Sequence, residues 1–166
     1  MRIIAISGDG QGAGKTFLSK KLAPEETRLS LATYLRLDLA EQYPKYDWYN
    51  KTQEYKDYTV VEETGMTIRE MLMTYGKSKR ETDSNYWIDY LLDGIFFIVN
   101  NTQARNKLVI TIDDIRFVNE IEKLRSSFGT AVTHVHVISS KAKSEPYDNE
   151  ALRDLADYIV QGTAHA

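Results

Sequence analysis

The chain has 166 residues, 42% hydrophobic and 27% charged, with a formal net charge of -3 at pH 7. That length sustains one domain with a sizeable core, and the slight acidity excludes a global positive field for a nucleic-acid backbone, though not a local basic groove. The absence of cysteine excludes disulfides, thiolate metal sites and thiol nucleophiles, and agrees with a reducing cytoplasmic setting.

Residues 2–7 (RIIAIS) are apolar on both faces and β-branched, which predicts a buried parallel strand. The run Ile3 to Ile6 is too short for a signal-peptide core and leads straight into a glycine-rich turn. A helix is expected from Lys15 to about Ala23, stopped by Pro24. Residues 27–31 suit a short strand, and Leu35, Leu39 and Ala40 mark a helix over 32–43 that ends before Pro44.

Residues 44–64 carry little periodicity but many aromatics, among them Tyr46, Trp48, Tyr49, Tyr55 and Tyr58. Such a stretch either stacks on a base or covers a core edge. Thr67 and Glu70 stand at capping-box spacing, so a helix is predicted over 67–75 and is expected to end at Gly76. A longer apolar helix is expected over 85–101, its run Ile95 to Val99 far shorter than a membrane span.

Residues 107–113 (KLVITID) read as the clearest second buried strand, followed by a helix over 119–128 closed near Gly129. Residues 132–139 (VTHVHVIS) alternate as a strand with His134 and His136 on one face. A helix over 149–158 and a short strand over 158–160 complete the pattern. Strands alternating with helices predict one three-layer α/β domain over 1–166 with a mostly parallel central sheet flanked by helices.

The strongest motif is Gly8-Asp9-Gly10-Gln11-Gly12-Ala13-Gly14-Lys15-Thr16, set between a strand and a helix. Successive glycines let backbone N–H groups curl around phosphate oxygens, and the helix N-terminus adds its positive dipole end. Gly10, Gln11, Gly12, Ala13, Gly14, Lys15 and Thr16 are therefore expected to bind the phosphates of a nucleoside triphosphate. Lys15 would reach the β/γ-phosphates, and the Thr16 hydroxyl would ligate Mg²⁺. The spacing departs from the usual loop: five residues separate Gly8 from Gly14, and Asp9 stands where the first glycine belongs. Either the loop bulges by one residue or Gly10 takes over the tight turn.

Asp113-Asp114 closes the second buried strand, where a carboxylate lies near Mg²⁺ in phosphate-loop proteins, and either aspartate suits that role or the capping of a helix. Arg116 follows at the edge where ligands of open α/β sheets bind. Arg36, Arg69, Arg80, Lys77 and Lys79 supply further cations for a second anionic substrate.

With these residues in place, the chain resembles the deoxynucleoside monophosphate kinases encoded largely by bacteriophages. Residues 31–36 (LATYLR) are similar to that family's Phe-Ala-Asp-x-Leu-Lys segment, with Thr33 where the family often has aspartate. Residues 67–72 (TIREML), Gly76 and Arg80 resemble its Arg-Glu-Leu-Leu-Gln-x-Leu-Gly-Thr block, and Tyr86-Trp87 the Tyr-Trp that opens its next helix. Residues 112–120 (IDDIRFVNE) are close to its Asp-Val-Arg-Phe-Pro-Asn-Glu signature, and residues 157–162 resemble its terminal Asp-x-Val-Ile-x-Asn-x-Gly.

The resemblance implies a P-loop kinase fold, ATP as donor, Mg²⁺ held by Thr16 with Asp113 or Asp114, and a deoxynucleoside monophosphate as acceptor. It implies Lys15, Asp114, Arg116 and Arg80 as catalytic residues, and Arg36, Arg69, Arg80, Trp87 and Asp9 on the acceptor side, with 44–84 as a covering segment. A related acceptor is the hydroxymethyl group of a modified pyrimidine in DNA, which would need a base such as Asp114, Asp113 or Asp9. No membrane partner is expected, and the sequence leaves the oligomeric state open, a homodimer included.

Overall fold

The computed structural model describes residues 1–162. In chain order the elements are β1 (Arg2–Gly8), α1 (Lys15–Leu22), β2 (Arg28–Leu29), α2 (Leu31–Gln42), α3 (Gln53–Tyr58), β3 (Val60–Val61), β4 (Met66–Thr67) and α4 (Ile68–Thr82). There follow α5 (Tyr86–Asn100), β5 (Val109–Ile112), α6 (Val118–Phe128), β6 (Val132–Ile138), α7 (Asn149–Leu155) and β7 (Tyr158–Gln161). The chain falls into two compact units: residues 1–31 with 88–162, and Ala32–Trp87.

The first unit is α/β. Its central sheet has five strands in the order β2-β5-β1-β6-β7, every pairing parallel, and helices flank it. Parallel strands carried on both faces need apolar residues throughout, and Ile3, Ile4, Ala5 and Ile6 of β1 and Ile110 and Ile112 of β5 are all buried. Ile4 and Ile6 pack with Ala13, Val135 and Val137 into one core cluster.

The strand order creates the site. β1 leads through α1 toward β2 on one side, whereas β5 leads through α6 to β6 on the other. The carboxyl ends of these two adjacent strands therefore flank a topological switch point, where an open parallel sheet leaves a crevice. Gly8 ends β1 and Asp113 follows β5.

The second unit packs Leu39, Trp48, Val61, Ile68 and Met71 as its core, with Leu35, Tyr43, Tyr46 and Tyr75 against it. The low periodicity of residues 44–64 conceals structure: Thr52 caps α3, and β3 pairs with β4 just beyond as a small antiparallel hairpin. One expectation is corrected here. Gly76 does not end its helix, since α4 runs on to Thr82. Gly76 lies on the buried side of that helix, where a Cβ would make only ordinary contact with Leu35, and its carbonyl accepts the Trp87 indole N–H at 3.1 Å. The Thr67 cap is as expected, its hydroxyl accepting from the Glu70 amide at 3.1 Å.

Candidate functional site

Between β1 and α1 the chain must turn sharply, and three glycines allow it. Gly10, Gly12 and Gly14 have φ of 151°, 85° and 104°, conformations that side chains disfavour. The spacing question resolves in favour of Gly10. Gly8 stays in the β1 ladder opposite Val137, and the Asp9 amide still donates to the Val137 carbonyl at 3.0 Å. The additional residue is thus absorbed by the strand, and the turn begins at Gly10. A Cβ on Gly10 would lie 1.9 Å from the Lys143 carbonyl oxygen, so no other residue fits.

Gly14 is the N-cap of α1, in the left-handed region, and no side chain caps the helix. No acidic residue lies in its first turn. The start of α1 thus carries neither a side-chain cap nor a first-turn carboxylate that would compete for its positive dipole end. The Lys15 stem folds back over the loop, its Cδ 3.0 Å from where a Gly8 Cβ would stand. Burial pushes the Lys15 ammonium below its ordinary pKa; Glu145 opposes this, Arg116 adds to it, and Asp114 and Asp113 oppose it. One lysine, one arginine and three carboxylates thus share a single electrostatic neighbourhood.

The two aspartates divide their work. Asp113 Oδ2 accepts from the Thr16 hydroxyl at 3.2 Å, which puts a carboxylate against the first turn of α1. Burial, then repulsion from Asp114, raises the Asp113 pKa to about 6. Asp114 Oδ1 accepts from the Leu31 amide and Oδ2 from the Ser30 hydroxyl, both at 2.8 Å. Its carboxylate anchors the start of α2 while it also acts on Lys15.

A hard divalent cation fits the Thr16–Asp113 pair: a hydroxyl and a carboxylate oxygen converge there, and the half-buried Asp113 is burdened by the neighbouring Asp114 charge. Mg²⁺ needs only one or two protein carboxylates beside phosphate and water. The described residues hold no group of three or more His, Asp or Glu that would bind a metal unaided.

Arg116 is held from its backbone. Its amide and that of Phe117 donate to Glu120 Oε1 at 2.8 and 2.9 Å, and its carbonyl accepts from the Asp148 amide at 3.0 Å. Its guanidinium lies 4.8 Å over the Tyr147 ring, and Nε is buried with no hydrogen-bond partner. An orphaned buried donor of this kind is costly unless an acceptor arrives. Burial raises the Glu120 pKa to about 7 despite those two amides.

Segment 139–149 is laced to the glycine loop. Gln11 and Lys143 exchange backbone hydrogen bonds at 3.1 and 2.9 Å, and Asn149 Nδ2 donates to the Asp9 carbonyl at 3.3 Å. Asp9 itself is turned to this scaffold: Oδ1 accepts from His136 Nε2 and Oδ2 from the Ser139 amide, both at 3.0 Å. Burial raises its pKa, but the His136 and Ser139 bonds outweigh that, and the net shift is downward. Asp9 therefore anchors the loop to β6 and the segment after it.

His136 Nδ1 continues to the Ser7 hydroxyl at 2.8 Å, and Ser7 to His134 Nε2 at 2.8 Å. The two histidines thus join Ser7 and Asp9 in one hydrogen-bonded chain. Ser7, His134 and His136 are completely buried, so this serine meets no substrate. The alternation of His134 and His136 was the signal; their partners on β1 became visible only with the sheet register, which pairs Ser7 with His136.

The remaining expected residues belong to the second unit. Arg36 donates from a guanidinium N–H to the Trp48 carbonyl at 3.0 Å, while Arg69 pairs with Asp57 and Gln53. Arg80 lies in the last turn of α4. Trp87 is corrected: it is buried, its N–H is taken by Gly76, and Tyr86 meets it edge-on at 4.6 Å, so it serves the core rather than a substrate. Trp48 is likewise a core residue, whereas Tyr49 and Tyr58 are exposed.

Compared with known proteins, the chain matches no family model and no curated sequence. No helix of the described residues is long and apolar enough to cross a membrane.

Proposed function

We propose that this chain is an ATP-dependent phosphotransferase of the P-loop nucleotide kinase type, with a deoxynucleoside monophosphate as acceptor. The observation that carries the reading is the uncapped N-terminus of α1 behind three positive-φ glycines, with Lys15 folded over Gly8 and Thr16 bonded to Asp113. Glycine backbone, helix dipole, lysine and a hydroxyl–carboxylate pair are the parts a triphosphate needs.

In this reading the loop amides and the α1 N-terminus hold the β- and γ-phosphates, and Lys15 neutralises charge between them. Thr16 and Asp113 would hold Mg²⁺, which when bound screens the phosphate oxygens. The Arg116 Nε–H gains the acceptor it lacks when a phosphoryl oxygen comes within reach. Arg36, Arg69 and Arg80 would neutralise the acceptor phosphate; their part rests on the resemblance. Charge stabilisation suffices for such a transfer, because the attacking oxygen is already anionic.

The acceptor in DNA is supported less well. An alcohol must lose a proton, and of its three candidate bases Asp9 and Asp114 are committed to backbone amides. Acidic residues also outnumber basic ones in each unit, so neither has a net positive charge to draw in a polyanion. The test is incubation with γ-labelled ATP and Mg²⁺ against deoxynucleoside monophosphates, plain DNA and hydroxymethyluracil-containing DNA. Labelled diphosphate is the expected product. Label confined to DNA overturns the acceptor, and no transfer to any of them overturns the kinase reading.

A further inference from the structure

The buried chain His134–Ser7–His136–Asp9 lies outside the phosphate-binding groups, yet it ends on the residue that opens the glycine loop. Its proton order follows from which atoms can donate. A carboxylate only accepts, so the hydrogen between Asp9 Oδ1 and His136 Nε2 belongs to the histidine. Neutral His136 then accepts at Nδ1, and the Ser7 hydroxyl must donate to it. That hydroxyl oxygen is left to accept the Nε2–H of His134. His134 Nδ1 becomes a bare lone pair, and it is the buried ring nitrogen without a hydrogen-bond partner.

The reverse order is worse. A doubly protonated His136 would donate from Nδ1 to Ser7, and Ser7 would donate to His134 Nε2. The His134 proton would then sit on Nδ1, facing the Leu155 carbonyl without full hydrogen-bonding geometry, a weaker bond than the Nε2–H to Ser7 that it replaces. Burial also lowers the His134 pKa to about 4, which keeps that ring neutral.

We propose that His136 is a positioning residue of the phosphate loop: its Nε2–H, oriented by Ser7 and His134, holds the Asp9 carboxylate so that Gly10 enters its turn ready-formed. The inference rests on the phosphate-binding reading of that loop. Asp9 is bonded on its other oxygen to Ser139, and Gln11 to Lys143, so releasing Asp9 frees the loop from one of its two rows of contacts. The loop's amides would then have to be ordered by the ligand, and binding would weaken.

Two measurements on the full chain decide this. In ¹⁵N spectra of the side chains, His134 and His136 are expected as Nε2–H tautomers at neutral pH; an Nδ1–H tautomer or an imidazolium at His136 overturns the proton order. In calorimetric titration with Mg·ATP, His136→Phe, which keeps the ring but not the donor, is expected to bind about tenfold or more weakly. His136→Gln, whose amide nitrogen takes the place of Nε2, is expected within about threefold of the parent. Parental affinity in His136→Phe, or equal losses in both variants, overturns the proposal.

Where His136→Phe fails to fold, Asp9→Asn serves, because its amide faces one of two donors with a third; parental affinity there overturns the proposal as well. If the parent protein itself does not bind Mg·ATP, the phosphate-binding reading falls, and the inference, which rests on it, falls with it.

Discussion

The Thr16 hydroxyl donates to Asp113 Oδ2 at 3.2 Å, although 97 residues separate them in sequence. The contact exists because β1 and β5 are neighbours in the sheet while their connections leave in opposite directions. It divides the Asp113-Asp114 pair into a group that faces the helix start and a group that braces the chain at Leu31.

That division is testable. Thr16→Ala and Asp113→Asn should raise the Mg²⁺ concentration for half-maximal turnover by about tenfold, the effect of losing one charge-assisted contact. Asp114→Asn should leave the Mg²⁺ requirement near the parent's and instead lower the unfolding temperature. A Mg²⁺ titration alongside thermal unfolding separates the two; the reverse assignment of effects would count against the division.

Glu120 makes stability depend on pH. Its folded pKa of about 7 lies above the ordinary 4.5, so between those values the folded state holds a proton the unfolded chain has lost. Stability therefore falls as pH rises from 4.5 to 7. Asp113 acts in the same direction between 3.8 and about 6, while His134, lowered from 6.5 to about 4, opposes them across that range. Glu120→Gln keeps the oxygen that accepts from Arg116 and Phe117. It should gain on the parent from pH 4.5 to pH 7, by about 2–3 kcal/mol at most. Urea unfolding at pH 4.5, 6 and 7 checks this; a constant difference would remove Glu120 as the source.

Gly10→Ala should cost more than about 2 kcal/mol of stability, since the added carbon meets the Lys143 carbonyl at 1.9 Å and φ is positive. Gly12→Ala, at a positive φ but with open space around the Cβ, should cost less. Comparing their unfolding free energies tests whether the Gln11–Lys143 lacing is a structural constraint; equal costs would show that it is not.

The glycine loop, the strands flanking it and the Thr67 cap were legible because local chemistry fixes them: β-branched runs, glycine before a helix, a hydroxyl three residues ahead of a glutamate. Gly76 misled because glycine stops a helix in isolation, whereas here it is buried within α4 and its carbonyl accepts from Trp87. The folded-state partners of Trp87 and Asp9 were hidden for a related reason. Both residue types suit ligand contact, but their partners come from α4 and from β6, which only the folded chain brings to them. The terminal glycine of the resemblance gains a physical reason, since a Cβ on Gly162 would lie 2.1 Å from the Ala13 carbonyl of the loop.

Residues 10–16 are proposed to bind the phosphates of a nucleoside triphosphate, and Lys15→Ala tests this most directly. Calorimetric titration of the parent with Mg·ATP should give saturable binding at one site per chain, reduced at least about a hundredfold by the substitution. No binding by the parent, or undiminished binding by Lys15→Ala, would contradict it.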